Sequence, residues 1–500
     1  MGAVLAALIL AGLVSCKSSS KNNSTGDGPN VEYNNPEDNF LAEVGITDFA
    51  GLTAVENITD VSVLLKWDYH EQISRYVILR RESGAAKFKA VAYLDGAQTS
   101  YLQQNLKNDT AYEFKIRAYN ELGQIDDNTS VQTVHTFYAP STPAAVTLVL
   151  PLSSEGFMRR PIFSVRYVKG GDTVRLFSDA SCTQEIGRGV VGADQNVIEL
   201  ALAADLTPGP YTIYANSTNL AGHASACSVA YASYTFVECP EGYVVVDGDV
   251  DLAVDSFCVM PMEARQGDGN LPVVSAADLP WSDIYSTTAK TNCQLLSTED
   301  IACDLISNPQ WMAIARSIET TAANWSGGEV GQGVLNRGHS DNDPATHLAI
   351  TDPSDPWSDT NNDESDWTQK RTHTLNNGGV LWDLAGNLYE WVDWTTGGDV
   401  LSRGPNSCNL ESTDLFDVDC PALSPNDYLP LNPAGISPLA YNAVNYNLGR
   451  FFGNISGQGY VARGEGYNKG IKAGIYALSF DNNTNTHGPT GGFRCACRLK

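Results

Sequence analysis

Apolar and polar residues alternate in short runs over residues 46–138, as in the segments 61–67 and 112–119. A period of two is typical of strands that bury one face, so this stretch predicts an all-β sandwich. A proline-bearing joint at residues 139–143 leads into a second strand-rich stretch that ends at residue 237, with turn signals at residues 170–172 and 207–210. We therefore expect a second sandwich over residues 139–237.

The pattern changes at residue 238. Residues 307–318 predict a helix, because Asn308 can cap it, Pro309 suits the first helical position, and one face collects Trp311, Ile314, Ala315 and Ile318. A looser helix is expected around residues 288–296. The rest of residues 238–500 reads as loops and short strands rich in Gly, Asn, Asp and Trp. Long loops of this kind are tolerated when disulfides or ions restrain them.

The first 16 residues form a short apolar segment that ends in Leu13-Val14-Ser15-Cys16. A membrane-spanning helix needs about 20 apolar residues, so this segment is too short to span a bilayer. It resembles a bacterial lipoprotein signal, although no Lys or Arg precedes it, and an ordinary secretory signal peptide is the alternative. The resemblance implies that Cys16 carries the lipid anchor and that the exported protein resides at the outer membrane or cell surface. Residues 17–45, rich in Ser, Asn and Gly, predict a flexible tether.

The net charge restricts the kinds of partner that the chain is expected to bind, and the cysteine content indicates its cellular compartment. With 31 Lys and Arg against 58 Asp and Glu, the formal charge is −27, which disfavours nucleic acid and favours cations. Eleven cysteines less the lipid-bearing Cys16 leave ten, enough for up to five disulfides in an oxidising compartment. Cys182 and Cys227 alone fall inside the second sandwich and are predicted to pair.

The first predicted sandwich contains Trp67, Leu106, Thr110 and Tyr112, and the run of residues 116–123. In these residues it resembles a fibronectin type III domain, with Tyr112 in the place of the tyrosine corner. The resemblance implies that Trp67 and Tyr112 are structural rather than ligand contacts. Residues 211–215 and 219–222 are similar to the closing strands of bacterial immunoglobulin-like repeats. Both sandwiches are therefore expected to act as spacers.

Two motifs mark residues 238–500. Residues 383–391 match the pattern D-x-x-G-N-x-x-E-W, and residues 492–496 read G-F-R-C-A. Together with residues 305–311 and Arg463-Gly464, they resemble the formylglycine-generating enzyme (sulfatase-modifying factor) family. The resemblance implies an α+β variant of the C-type lectin fold. The expected fold class is thus a multidomain chain of two all-β sandwiches followed by a C-type-lectin-like domain.

The chemistry of that family does not carry over. Its copper ion is held by two cysteines between the R-G-G-S-W and G-F-R motifs, whereas residues 463–480 contain no cysteine. Cu(I) requires soft thiolate ligands, so we expect no copper and no catalytic residues. The histidine-rich helical domain of the related iron-dependent sulfoxide synthases is also missing. His339, His347 and His373 lack metal-ligand spacing, which favours surface or structural roles.

The calcium-binding loop and the disulfide of the family do have matching residues in this chain. The resemblance implies Ca²⁺ at Asp383, Gly386, Leu388 and Glu390; the alternative is a carboxylate pair that caps local turns, and a glycosidase dyad is not expected. The family bridge matches Cys293 with Cys495, which leaves Cys303 for Cys497. Two further pairs are expected, Cys239 with Cys258 and Cys408 with Cys420.

Residues 467–484 lie between the Arg463-Gly464 and G-F-R motifs and resemble the variable segment of retroelement-diversified lectin-fold receptors and phage adhesins. The resemblance and the tyrosine and asparagine content favour ligand binding. The expected contact residues are Tyr467, Asn468, Lys472, Tyr476, Ser479, Asp481 and Asn482; the alternative is that they are merely exposed. The predicted function is adhesion or recognition of a glycan or protein by a lipid-anchored surface protein. One alternative is a metal-dependent oxidoreductase of the formylglycine-generating type acting on a substrate cysteine, and another is a structural envelope lipoprotein.

Overall fold

The computed structural model describes residues 43–359, 366–394, 409–418, 423–454, 460–481 and 490–500. The predicted signal segment with Cys16, almost all of the tether, the pair Cys408 and Cys420, and Asn482 lie outside the described residues. The chain divides into two compact units. The first ends at Pro140 and includes Asn219–His223; the second comprises Ser141–Thr218 and Ala224–Lys500.

The first unit contains a sandwich of two sheets, with strand orders β1-β8-β7-β4-β5, to which β9 is added through β7, and β2-β3-β6. Its strands are β1 (Val44–Ile46), β2 (Leu52–Glu56), β3 (Val63–Trp67), β4 (Arg75–Glu82), β5 (Lys89–Asp95), β6 (Ser100–Gln103), β7 (Ala111–Tyr119), β8 (Ile125–Asp126) and β9 (Gln132–His135).

Trp67 and Tyr112 belong to the interior of this sandwich. The Trp67 ring meets the Tyr76 ring edge-on with centroids 5.3 Å apart. The Tyr112 hydroxyl accepts a hydrogen bond from the backbone N–H of Lys107 at 2.9 Å, which is the contact of a tyrosine corner. Four alternate side chains of β7 fill the same core: Tyr112, Phe114, Ile116 and Ala118. The predicted sandwich is confirmed.

The second unit begins with another two-sheet sandwich, with strand orders β10-β12-β15 and β11-β17-β16-β13-β14. A shared core, which includes Phe163, Val174, Ile213 and Tyr234, joins the two sheets. The strands are β10 (Ala145–Leu150), β11 (Glu155–Gly156), β12 (Ile162–Arg166), β13 (Thr173–Phe177), β14 (Glu185–Val190), β15 (Val197–Ala201), β16 (Gly209–Thr218) and β17 (Ala232–Phe236).

Hydrogen bonds and a buried aromatic ring join this second sandwich to the region that follows it in the chain. The Asp255 carboxylate accepts the backbone N–H groups of Leu152 and Ser153 at 3.0 and 2.9 Å. The Ser256 hydroxyl accepts the N–H of Phe157 at 3.1 Å, and the Phe157 ring is fully buried in a cluster that includes cysteines of the C-terminal region. Within its unit, the second sandwich is therefore a packed part of the structure rather than a free spacer.

Residues 238–500 combine helices with small sheets. The larger sheets have the strand orders β18-β19-β31-β22 and β26-β27-β29-β28-β25-β30, and two hairpins pair β20 with β21 and β23 with β24. The elements are β18 (Val244–Val246), β19 (Phe257–Val259), β20 (Arg265–Gln266), β21 (Pro272–Val273), α1 (Ser286–Gln294), β22 (Ile301–Leu305), α2 (Asn308–Glu319), β23 (Thr372–Thr374), β24 (Val380–Trp382), β25 (Tyr389–Val392), β26 (Asn409–Ser412), α3 (Ala443–Tyr446), β27 (Phe451–Asn454), β28 (Tyr460–Arg463), β29 (Leu478–Asp481), β30 (Gly491–Phe493) and β31 (Cys495–Leu499). No helix in the described part of the chain is long and apolar enough to cross a membrane.

Helix α2 forms where it is predicted, but Ser307 caps it instead of Asn308. Ser307 and Gln310 form a reciprocal capping box, with the Gln310 side chain 2.9 Å from the Ser307 N–H. Asn308 lies one residue inside, fully buried, and its side-chain oxygen accepts from the Arg463 guanidinium at 3.0 Å. The predicted apolar face, with Trp311 at its centre, lies in the main core of this region.

Four disulfides tie the second unit together. They are Cys182–Cys227, Cys239–Cys258, Cys293–Cys495 and Cys303–Cys497, the pairs expected among the described cysteines. The last two fasten the C-terminal strand β31 to α1 and β22, which are about 200 residues away along the chain, with separations of 202 and 194 residues. Cross-links of such long loops remove much of the conformational freedom of the unfolded chain.

Candidate functional site

The motif over residues 383–391 forms a buried loop between β24 and β25. Asp383 is fully buried, and the Arg371 guanidinium donates to both of its carboxylate oxygens, from Nε at 2.7 Å and from Nη2 at 2.6 Å. Gly386 has φ of +79°, and a Cβ there would lie 2.5 Å from the carbonyl oxygen of His339. The loop turns tightly against the chain at His339, so glycine is required at this position.

Glu390 has an arginine partner of its own. It lies on β25, whose parallel neighbour β30 leads directly to Arg494. The guanidinium of Arg494 donates through Nε to one Glu390 oxygen at 2.7 Å and through Nη2 to the other. Both side chains are fully buried. Burial raises the pKa of Glu390, and the positive charge of Arg494 opposes that rise.

A third buried carboxyl group, that of Glu263, bonds the same loop. Its oxygens accept hydrogen bonds from the Asn387 side chain at 2.8 Å and from the Leu388 N–H at 3.0 Å. The nearest guanidinium, that of Arg265, is 3.8 Å away. Desolvation, followed by the repulsion of Asp383, raises the pKa of Glu263 well above its ordinary range.

These contacts do not fit a calcium ion on the predicted ligands. Ca²⁺ takes six to eight oxygen ligands, usually with several carboxylates. Both oxygens of Asp383 and both of Glu390 already accept from guanidinium groups, whose positive charge opposes a second cation. Among the residues that the structure describes, no group of three or more His, Cys, Asp or Glu side chains could hold a metal ion.

The described cysteines, together with His339 and His373, occupy structural positions. The eight described cysteines are all disulfide-bonded, so none of them offers the thiolate that Cu(I) prefers. The Nε2 atom of His339 is 2.9 Å from the Thr346 carbonyl oxygen. His373 is fully buried, with its Nε2 atom 3.3 Å from the Asn336 carbonyl oxygen, and burial lowers its pKa to about 4. His347 is half-buried.

Two of the predicted ligand contacts lie in the interior instead. Tyr476 is fully buried, and its hydroxyl donates to the buried Glu319 carboxylate at 2.6 Å. Tyr467 is 9% exposed, and its ring stacks on the His339 ring with centroids 5.9 Å apart. Both rings are apolar enough to be drawn into the core, and a polar partner receives the Tyr476 hydroxyl. The surface roles expected for these tyrosines are therefore corrected.

Three of the other predicted contacts lie at or near the surface. Asn468 is exposed and Lys472 is half-exposed, with its Nζ atom 2.9 Å from a Glu411 oxygen. Ser479 on β29 is the direct neighbour of Phe452 on β27, which in turn faces Glu411 on β26. The Asp481 side chain and all of Asn482 lie outside the described residues.

Glu411, Phe452 and Ser479 lie side by side on one face of the larger sheet, and Lys472, which follows Ile471 in the chain, joins them through its ion pair with Glu411. Phe452 is 37% exposed and Ile471 is 45% exposed. The Arg450 guanidinium stacks on the Phe452 ring at 4.2 Å and bonds Glu411 at 2.5 Å, so the aromatic ring is held in place. We call this surface the strand-face patch; it comprises Glu411, Phe452, Ile471, Lys472 and Ser479.

A second loop adjoins the patch near Asn468. The Gly470 N–H donates to the Ser340 carbonyl oxygen at 2.7 Å, and the Asn342 N–H donates to the Tyr467 carbonyl oxygen at 2.8 Å. This places the exposed residues Asp341 and Asn342 beside the start of the predicted recognition segment. Sequence reasoning missed Phe452, Ile471 and Glu411. The Phe451-Phe452 pair carries a usable signal, since consecutive strand residues point to opposite faces and only one ring can enter the core.

Comparisons with known proteins address the first sandwich. Residues 50–134 match the sequence profile of the fibronectin type III domain. A titin homolog of Caenorhabditis elegans is 34% identical over 83 residues, which is 16% of this chain and, rounded, 0% of that protein. The chain thus spans far less than two thirds of that relative's length.

Solved structures similar to this chain include an FN3 domain of human collagen XX, at 22% identity and a TM-score of 0.17, covering 19% of this chain and 98% of that one. The FN1-FN3 domains of chicken CNTN1 are 20% identical with a TM-score of 0.20, covering 40% of this chain and 72% of that one. The profile match and the Tyr112 corner show that the first sandwich is a fibronectin type III domain.

Proposed function

We propose that this chain is an exported binding protein that recognises a glycan or protein ligand through the strand-face patch. The observation that carries the proposal is the exposed Phe452 side chain beside Glu411 and its ion pair with Lys472, with Ile471, also exposed, preceding Lys472 in the chain. Aromatic and aliphatic anchors within a charged rim are typical of recognition surfaces. The ring held by Arg450 lowers the entropy lost on binding.

The patch belongs to a region that we interpret as a C-type-lectin-like domain related to the formylglycine-generating enzyme family, preceded by an immunoglobulin-like sandwich. Arg494 donates both to the Glu390 carboxylate and to the Asp383 carbonyl oxygen, and this contact supports the interpretation, since all three residues come from the motifs that carry the resemblance. Residues 463–480 correspond to the interval that holds the copper ligands of that family and contain no cysteine, which favours binding over copper-dependent oxidation.

Four disulfides in the second unit support export, because such bonds persist in oxidising compartments. We propose that lipidation at Cys16 and the tether then hold the protein at the outer membrane or cell surface. A fibronectin type III domain is a common component of extracellular adhesion proteins and is compatible with this location.

The test uses the full chain, fluorescently labelled, on a glycan array and on a panel of immobilised extracellular matrix proteins. We expect saturable binding to at least one probe, and a loss of at least about tenfold in affinity for Phe452→Ser or Lys472→Glu. The matched control is Leu279→Ser, which removes an apolar side chain of 56% exposure outside the patch. Binding that survives both patch variants would exclude the patch. Conversion of a sulfatase peptide cysteine to formylglycine with added copper would favour the oxidoreductase alternative.

A further inference from the structure

Arg371 and Arg494, the two arginines that contact the 383–391 loop, each donate hydrogen bonds to several oxygen atoms. Arg371 donates to both oxygens of Asp383 at 2.7 and 2.6 Å, to Asp355 at 2.6 Å, and to the carbonyl oxygens of Ala349 and Leu348 at 2.9 and 3.2 Å. That makes five oxygen atoms around one guanidinium. All of these hydrogen bonds lie in the interior, because the Arg371 side chain has no exposed surface.

Arg494 is surrounded in the same way. It donates to both oxygens of Glu390 and to the carbonyl oxygens of Met260, Trp382 and Asp383, the carbonyl contacts being 3.3, 3.0 and 3.4 Å long. This is again a set of five oxygen atoms on a fully buried guanidinium. Carboxylate and backbone carbonyl oxygens are also the ligands that a structural calcium ion selects.

The positions of these oxygens explain what the guanidiniums hold together. Arg371 bridges the loop to residues 348–355, and Arg494 bridges it to the segment around Met260 and to β24. A planar guanidinium has five N–H donors in a fixed geometry, is charged at all relevant pH values, and is more weakly hydrated than an ammonium group. It can therefore neutralise a buried carboxylate and orient several chain segments at once, as a bound cation does.

We propose that Arg371 and Arg494 take the place of a structural cation in the 383–391 loop, so that this loop is ordered without calcium. The proposal does not depend on the binding function proposed for the strand-face patch. A divalent ion placed on Asp383 or Glu390 would have to displace a guanidinium that already donates to both oxygens of that carboxylate. The loop therefore excludes the ion that its motif otherwise implies.

The first test compares thermal unfolding of the full chain in excess EDTA and in millimolar calcium, at matched ionic strength, by intrinsic tryptophan fluorescence. Eight of the nine tryptophans lie at positions 281–394, so the signal reports on the C-terminal region. We expect midpoints that agree within about 1 °C. A calcium-dependent rise that Asp383→Asn or Glu390→Gln abolishes would overturn the proposal. A rise that persists in both variants places calcium elsewhere and upholds it.

The second test replaces the guanidinium. Arg371→Ala should lower the midpoint by roughly 6–12 °C, as expected for breaking a buried ion pair in a domain of this size. Millimolar methylguanidinium should restore part of the loss, whereas sodium chloride at the same concentration should not. A merely space-filling role predicts no rescue, and a full recovery with Arg371→Met would contradict the proposal. If Arg371→Ala does not fold, the calcium comparison on the unaltered chain still decides.

Discussion

Replacing Tyr476 with phenylalanine separates a core role from a recognition role for this residue. Its hydroxyl donates to one oxygen of Glu319 at 2.6 Å, and the Tyr441 hydroxyl donates to the other at the same distance. The N–H groups of Leu431 and Asn432 complete the shell of the carboxylate, both at 2.9 Å. Burial and the neighbouring Glu319 raise the pKa of both tyrosines, so both hydroxyls remain donors up to strongly alkaline pH.

The expected loss of stability follows from the type of hydrogen bond that Tyr476→Phe removes. A hydrogen bond to a charged group contributes about 1.5–3 kcal/mol, and both partners here are fully buried. Phenylalanine keeps the ring packing and leaves Glu319 with three of its four donors. We therefore expect Tyr476→Phe to destabilise the C-terminal region by about 2 kcal/mol. For a region of this size, that loss lowers the unfolding midpoint by roughly 4–8 °C.

The assay is thermal unfolding followed by tryptophan fluorescence, together with ligand binding on the array. Tyr441→Phe is the matched buried control and should cause a similar loss of stability. Lys472→Ala is the surface control and should change the free energy of unfolding by less than about 0.5 kcal/mol. The reasoning fails if Tyr476→Phe leaves the midpoint unchanged and abolishes binding, because the side chain would then lie at the surface.

Two further predictions concern acid sensitivity and the first sandwich. Burial lowers the pKa of His373 to about 4, against about 6.5 in the unfolded chain. Between these pH values only the unfolded state gains the proton, so the free energy of unfolding falls as the pH falls, by up to about 1.4 kcal/mol per pH unit. His373→Leu should flatten that part of the pH profile of urea unfolding midpoints between pH 7 and 4; an unchanged slope would assign the acid sensitivity to other groups. Tyr112→Phe removes the acceptor of the Lys107 N–H and should destabilise the fibronectin type III domain by about 1–3 kcal/mol, measured by hydrogen exchange of β7 amides, with exchange in β16 unchanged.

Local patterns are sufficient for elements whose hydrophobic periodicity is regular. The alternation over residues 112–119 predicts β7, and the apolar face of residues 307–318 predicts α2. The same pattern predicts the cap of α2 at Asn308, one residue too late, whereas Ser307 is the cap and the Asn308 side chain has a competing role. Its side-chain oxygen serves Arg463, which is 155 residues away, and no local rule reveals that contact.

The site was harder to predict because its contacts are nonlocal. Tyr476 is drawn inward by Glu319, 157 residues away, and a single sequence offers no means of pairing them. The Arg371 contact to Asp383 is different. The hairpin of β23 and β24 pairs Thr372 with Trp382, which places Arg371 directly beside Asp383. A prediction of that strand register would have placed Arg371 next to Asp383, one of the expected calcium ligands.

The buried arginines and the exposed patch are connected through the backbone of the motif loop. The Asn387 N–H donates to the His339 carbonyl oxygen at 2.7 Å, and the Asn387 carbonyl oxygen accepts from the Tyr467 N–H at 2.9 Å. The loop that Arg371 and Arg494 hold in place thus fixes the start of the recognition segment and the loop beside it. A surface ordered in this way loses little conformational entropy when a ligand binds. If both proposals hold, ligand binding by the patch should be insensitive to chelators and weakened by Arg371→Ala, although Arg371 contacts no residue of the patch.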